Sequence, residues 1–146
     1  MEQTAPYSPV QNGIAERVNR TLLEHARAMI FSKNISKHLW PEAIAYACYI
    51  KNRSPKHALG SNTTPYEVFH KRKPNIFRLQ EFGSQCWIMV PEQWRTKLNQ
   101  KAEQHIFTGI AENAKAWQYY NTRSKTIQTS RNIIFKKREY KALSYT

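Results

Sequence analysis

The chain has 146 residues, enough for one ordinary domain or two small ones, and 40% of them are hydrophobic, which permits a real core. It carries 23 Lys and Arg against 10 acidic residues, a net charge of +13. This charge favours a polyanionic partner, and nucleic acid is the first candidate. It does not indicate an activity, since ribosomal, chromatin and membrane-surface proteins can be equally basic. We find neither a secretion signal nor a membrane-length apolar run, so we expect an intracellular protein of the nucleus or cytoplasm, without a membrane partner.

The two cysteines, Cys48 and Cys86, are far apart and belong to no CxxC or Cys/His pattern. A zinc site is therefore not expected. We predict that both are buried, reduced thiols.

The first structural signal is a turn followed by a helix. Pro6 and Pro9 keep the preceding backbone extended, and Asn12-Gly13 supplies a flexible turn from which a helix over about 13–32 can begin. Apolar residues recur along it at helical spacing and predict a core stripe opposite the face that carries Glu16. The stripe consists of Ile14, Val18, Leu22, Ala26, Met29 and Ile30.

Residues three and four apart share a helical face, so this helix presents a polar row. The row consists of Glu16, Asn19, Arg20, Leu23 and Arg27. A carboxylate, an amide and a guanidinium together could serve a metal ion and a phosphate. The alternative is that Glu16 only complements the helix macrodipole.

The motif Pro6-Tyr7-Ser8-Pro9, followed by Gln11-Asn12-Gly13-Ile14-Ala15-Glu16-Arg17 and Asn19-Arg20, resembles the third acidic motif of integrases from copia-type LTR retrotransposons. The resemblance implies an RNase H-like fold in which Glu16 is the last of three catalytic, metal-binding acids. It also implies DNA contacts from the start of this helix and its polar row. We assign these contacts to Gln11, Asn12, Asn19, Arg20 and Arg27. Val10 departs from the family, which usually has a second Gln there.

The acidic residues are all Glu, and the chain contains no Asp. The family places two catalytic Asp residues upstream of this motif, and one Glu cannot hold a pair of metal ions. We therefore expect Glu16 to be a vestigial third acid in an incomplete metal site, within a 5′-truncated integrase fragment that is inactive alone. Mg²⁺ or Mn²⁺ is the cofactor implied for the intact family, and none is expected for this chain.

Two further helices are predicted, over about 39–52 with Pro41 in its first turn, and over 64–69 with Thr64 as its cap. Both resemble the helices that follow the catalytic one in the same family. The basic linker after them, residues 70–74, contains Lys71, Arg72 and Lys73. Two interpretations stay open for these three side chains: contact with the DNA backbone, or ordinary exposure to solvent.

The C-terminal part has the pattern of short strands separated by turns, which suggests a small barrel. The predicted strands cover residues 82–90, 104–110, 116–120, 125–129 and 132–135. The motifs Phe82-Gly83 and Ile134-Phe135 resemble the SH3-like barrel that follows the integrase core. Basic residues interleave with its aromatics, which could stack on unpaired bases, but Trp117 and Tyr119 are predicted to fill the barrel core.

The sequence thus predicts an α+β chain: the helical C-terminal end of an RNase H-like integrase core at residues 1–74, an SH3-like β-barrel at 75–140 and a tail at 141–146. The implied partner is DNA, both LTR ends and target DNA, with a homo-oligomer in the full-length form. The alternative function is a standalone basic module that binds DNA or RNA without catalysis. A barrel that recognises proline-rich peptides is disfavoured, because the acidic cluster for basic peptide flanks is missing.

Overall fold

A computed structural model describes residues 9–60, 62–90, 92–95, 97, 100–111 and 115–136; side chains are described from residue 13, with that of Trp94 excepted. The chain divides into two compact units, Met1–Phe82 and Gly83–Thr146. We call them the helical unit and the sheet unit. The sequence placed this boundary at residue 75, and the predicted tail at 141–146 lies outside the described residues.

Helix α1 spans Pro9–Ser32. It begins four residues earlier than predicted, because Pro9 has the fixed φ that suits a first helical turn and its missing N–H is not needed there. The prediction of a turn at Asn12-Gly13 was therefore wrong. The helix ends where Asn34 adopts a left-handed φ of 49° and the Ile35 N–H donates to the Ile30 carbonyl at 3.0 Å.

The core of the helical unit lies where α1 packs against α2, Trp40–Arg53. Its buried apolar residues are Ala26, Ile30, Ile35, Leu39, Ala43, Tyr46, Ala47 and Phe82. The predicted stripe on α1 is thus core only in its second half. Ile14 is 76% exposed, which corrects its assignment to the core, because α2 packs on the C-terminal turns of α1 that carry Ala26 and Ile30.

Helix α3, Pro65–His70, begins as predicted, with the Thr64 hydroxyl accepting a hydrogen bond from the Glu67 N–H at 3.1 Å. The segment after it is tied back to α2: the Tyr46 hydroxyl donates to the Gln80 carbonyl and accepts from the Gln80 N–H. The Arg53 guanidinium lies 3.4 Å from the Tyr49 ring centroid and 4.5 Å from that of Tyr66, a cation–π contact between α2 and α3.

The sheet unit contains five antiparallel strands in the order β4-β3-β2-β1-β5. The strands are β1 Gln85–Met89, β2 Ala102–Ile110, β3 Trp117–Asn121, β4 Thr126–Ser130 and β5 Ile133–Phe135. All five predicted strands are therefore present, and the last one returns to pair with β1, where Trp87 lies opposite Ile134. The helices followed by this sheet confirm the α+β class with a small SH3-like sheet domain.

The sheet encloses its own core, around Cys86 and Phe107, both fully buried. The Phe107 ring meets the edge of Phe135 at 5.5 Å. Burial raises the pKa of the Cys86 thiol to about 12, so the thiol stays protonated and unreactive in the fold. Cys48 is exposed on α2, so the prediction of two buried thiols was wrong for that residue.

Candidate nucleic-acid interface

The polar row predicted on α1 is present on the helix surface. Glu16, Asn19, Arg20 and Arg27 are all exposed, and Leu23, between the two arginines, is 42% exposed. Their spacing of three and four residues places them on one side of a continuous helix, which holds them rigidly relative to one another. The backbone at Gln11 and Asn12 belongs to the first turn of α1, and their side chains lie outside the described residues.

The arginines of this row keep their charge available. Within the described part of the chain, no ion pair joins Arg20 or Arg27 to a carboxylate, and Glu16 is likewise without a cationic partner. An exposed guanidinium with no competing carboxylate can make bidentate hydrogen bonds to a phosphate group. The row therefore offers two guanidinium groups that can donate hydrogen bonds to phosphates. It also offers the Asn19 amide and one carboxylate.

A divalent metal does not fit these residues by themselves. Glu16 is exposed, and the described ranges contain no group of three or more His, Cys, Asp or Glu side chains close enough to hold an ion. A two-metal phosphoryl-transfer site needs several carboxylates around the ions. Among the described residues, Glu16 therefore lacks the neighbouring carboxylates that such a site needs.

The basic segment after α3 is also on the surface. Lys71, Arg72 and Lys73 are exposed, and Lys71 closes the helix with a left-handed φ of 56°, its N–H donating to the Glu67 carbonyl at 2.9 Å. Two phenylalanines flank the segment: Phe69 is 81% exposed and Phe77 is 94% exposed. Sequence reasoning missed both, although the signal was their position on either side of the basic run.

A groove between the end of α1 and the start of α2 was also missed. It has a volume of about 310 Å³ and is lined by Arg27, Ile30, Phe31, Lys37 and Trp40. Sequence spacing could not reveal it, because the reversal between the two helices brings together residues that belong to different periodic patterns. Trp40 is half-buried at the groove, and Phe31 is 64% exposed there.

The sheet unit offers a different surface. Tyr119 and Tyr120 are buried, and Trp117 is half-buried with its ring 5.8 Å from that of Phe135. The prediction of a core position is confirmed for Tyr119, whereas Trp117 is only partly buried. Here two arginines are already paired: the Arg123 Nη1 lies 2.7 Å from the Glu103 Oε1, and the Arg95 Nη2 lies 3.8 Å from the Glu92 Oε1.

None of the helices in the described part of the chain combines the length and the apolar character that a membrane span requires.

Comparison with known proteins places the chain in a family. The model of the retroviral polymerase SH3-like domain matches residues 84–144, which contain all five strands. The retrovirus-related Pol polyprotein from transposon TNT 1-94 of Nicotiana tabacum is 34% identical over 138 residues, 94% of this chain and 10% of that relative. The chain belongs to the copia-type retrotransposon Pol polyproteins. This confirms the family predicted from the motif around Glu16.

Two further relatives are the Pol polyproteins from transposons RE2 and RE1 of Arabidopsis thaliana, 29% and 28% identical over 91% and 89% of this chain. No solved structure gave a significant match. The chain spans about a tenth of the length of these Pol polyproteins, and because the alignments cover most of it, they include most of the helical unit as well as the sheet.

Proposed function

We propose that this chain is the part of a retrotransposon integrase that holds DNA, and that the exposed row on α1 is its main DNA contact. Arg20 and Arg27 bind phosphates, Asn19 adds a neutral hydrogen-bonding group, and Gln11 and Asn12 extend the contact at the start of the helix. Lys71, Arg72 and Lys73 provide a second set of phosphate contacts. In the integrase, the DNA held in this way is an LTR end or the target.

One observation carries this proposal: both arginines on the face of Glu16 are exposed and have no acidic partner in the described part of the chain. A rigid helix with two free guanidinium groups facing solvent suits the regularly spaced phosphates of a duplex. The net charge of +13 supports it, because a strongly basic protein attracts DNA over a long range.

Glu16 is the third acid of the integrase site in this proposal, and it acts only together with acids that these 146 residues do not contain. The chain has no Asp, and the described residues form no acidic cluster. We therefore expect no strand joining by the purified 146-residue protein, with Mg²⁺ or with Mn²⁺. Joining activity that is lost in Glu16→Gln would contradict this expectation.

The experiment is a binding titration of a fluorescent DNA duplex at increasing salt. Affinity should fall by a factor of about 10³ or more between about 50 and about 200 mM salt if several phosphates are contacted. The double variant Arg20→Gln with Arg27→Gln should bind more weakly, and its salt slope should decrease by about 1 for each lost phosphate contact.

The matched control is the double variant Arg131→Gln with Lys136→Gln, because both residues are exposed cations of the sheet unit. It removes the same charge without touching α1. Equal weakening by the control and the α1 variants would show that only total charge matters, and binding that is absent or independent of salt would refute DNA binding altogether.

The second candidate is a standalone basic module that binds DNA or RNA without serving an integrase. The lack of an acidic cluster in the described ranges favours it. Competition separates the two candidates. A module that reads only phosphate charge should bind duplex RNA as tightly as duplex DNA, whereas an integrase surface should prefer the B-form DNA duplex.

A further inference from the structure

The groove at the end of α1 combines features that the α1 row lacks. Phe31 is 64% exposed at its edge, and Trp40 is half-buried beside it. Within the described part of the chain no ring contact joins Phe31 to Trp40, and the Trp40 indole N–H has no hydrogen-bond acceptor. Two aromatic faces are thus available to a flat ligand.

The groove is also cationic. Arg27 and Lys37 line it, both are exposed, and neither forms an ion pair with a described residue. Its floor includes Ile30, which is 2% exposed and therefore fixed in the core. A groove of about 310 Å³ is at the small end of the range for ligand sites, roughly 300–1,000 Å³, which suits a ligand of nucleotide size.

These features match an unpaired nucleotide. A base stacks on an aromatic side chain whatever its sequence, and its phosphate requires a cation within reach. A paired base inside a duplex cannot present its face to a protein, so such a groove selects unpaired positions. Hydrogen bonding to the Trp40 N–H adds a contact for a base or sugar oxygen.

The position of the groove lets one DNA molecule contact both surfaces. Arg27 belongs to the α1 row and to the groove, and along the helix it lies about 16 Å from Glu16. That distance corresponds to about five base-pair steps of duplex DNA. A duplex held along α1 can therefore place an unpaired end near Phe31.

We propose that the groove formed by Arg27, Ile30, Phe31, Lys37 and Trp40 binds an unpaired nucleotide at the end of the DNA held by α1. This inference rests on the proposed DNA binding, and it adds a preference for ends with an unpaired extension over blunt duplex. Stacking on one base should raise the affinity for such ends by between about 5-fold and about 150-fold.

The test compares a blunt duplex with the same duplex carrying a short unpaired extension that contains 2-aminopurine, both titrated with the full 146-residue chain. The extended duplex should bind more tightly, and the 2-aminopurine fluorescence should be quenched on binding. Phe31→Ala should abolish both effects and leave affinity for the blunt duplex unchanged, since Phe31 is exposed and its removal leaves the core intact.

The matched control is Phe69→Ala, because Phe69 is another exposed phenylalanine of the helical unit that does not line the groove. It should retain the preference for the extension. Equal affinity for both duplexes, or a preference that survives Phe31→Ala, would overturn the groove proposal while DNA binding stands. Loss of binding to every duplex would instead refute the proposed function, and the groove proposal with it.

An acidic peptide is the competing occupant of a cationic, aromatic groove. A peptide rich in Glu and Tyr is added as a competitor of the extended duplex. If the groove binds a nucleotide, the peptide should displace no more of this duplex from the parent chain than from Phe31→Ala. If it displaced more, and the extension gave no advantage, the groove would be a protein-docking site and the proposal would be wrong.

Discussion

The two units of this chain differ in how many large apolar side chains they leave exposed. Among the described residues the sheet unit encloses Cys86 and Phe107 completely and exposes Met89 and Ile134, whereas the helical unit leaves a larger set exposed, including Ile14, Phe31 and Phe77. A fold that buries its large side chains can be stable by itself, while exposed apolar and cationic side chains mark a surface for partners. The comparison supports the helical unit as the proposed binding surface.

The largest effect expected from this difference is on stability. Phe107→Ala removes a fully buried ring that packs against Phe135, so it should lower the free energy of unfolding of the sheet unit by about 3–5 kcal/mol. Phe77→Ala, at a residue that is 94% exposed, should change stability by less than about 0.5 kcal/mol. Urea unfolding, with hydrogen exchange of the β2 amides, measures both. A similar loss of unfolding free energy in the two variants would contradict the difference between the two units.

A smaller effect is expected where the helical unit ties its last segment to α2. Tyr46→Phe removes the hydroxyl that bonds both the carbonyl and the N–H of Gln80, at a cost of about 1–2 kcal/mol. Tyr49→Phe is the control, since the Tyr49 hydroxyl has no hydrogen bond to a described residue. Thermal unfolding of the two variants should differ, and equal midpoints would show that the Gln80 contact contributes nothing.

Loss of the α3 cap should cost less again. Thr64→Ala removes the hydroxyl that accepts from the Glu67 N–H, worth about 1 kcal/mol, while Thr64→Ser keeps an equivalent oxygen and most of the stability. Helical circular dichroism during urea unfolding reports the change. If Thr64→Ser were as destabilised as Thr64→Ala, the cap would not be the cause.

The smallest effect concerns pH in the sheet unit. Burial lowers the pKa of His105 below its usual value and Arg123 adds to this, while Glu103, 3.7 Å from Nε2, opposes it. The unfolded chain therefore binds a proton at His105 more readily, so stability should fall as pH decreases through about 6.5 and be constant above it. His105→Gln should flatten this dependence. An unfolding midpoint that rises on acidification would contradict the assignment.

Local signals predicted most of the elements. The Thr64 cap, Pro65 in the first turn of α3 and the alternation in β1–β5 depend on neighbouring residues alone, so the sequence revealed them. The exposed row on α1 followed from helical spacing in the same way. What failed depends on contacts between distant residues: α2 packs only on part of α1, so Ile14 is exposed, and Cys48 faces solvent.

The groove belongs to this second class. Arg27 and Lys37 come together only because the left-handed turn at Asn34 reverses the chain between α1 and α2. No spacing rule for one helix includes both cations. The sequence did not predict the hydrogen bond between Tyr46 and Gln80 for the same reason, because the two residues are far apart along the chain.

Side-chain footprinting with hydroxyl radicals, in the presence and absence of duplex DNA, tests the central claim most directly. Both units carry exposed apolar reporters: Leu23 and Phe31 on α1, and Met89 and Ile134 on the sheet. We predict that duplex DNA protects Leu23, that a duplex with an unpaired extension also protects Phe31, and that Met89 and Ile134 stay unchanged. Protection confined to Met89 and Ile134 would place the DNA on the sheet unit and contradict the account.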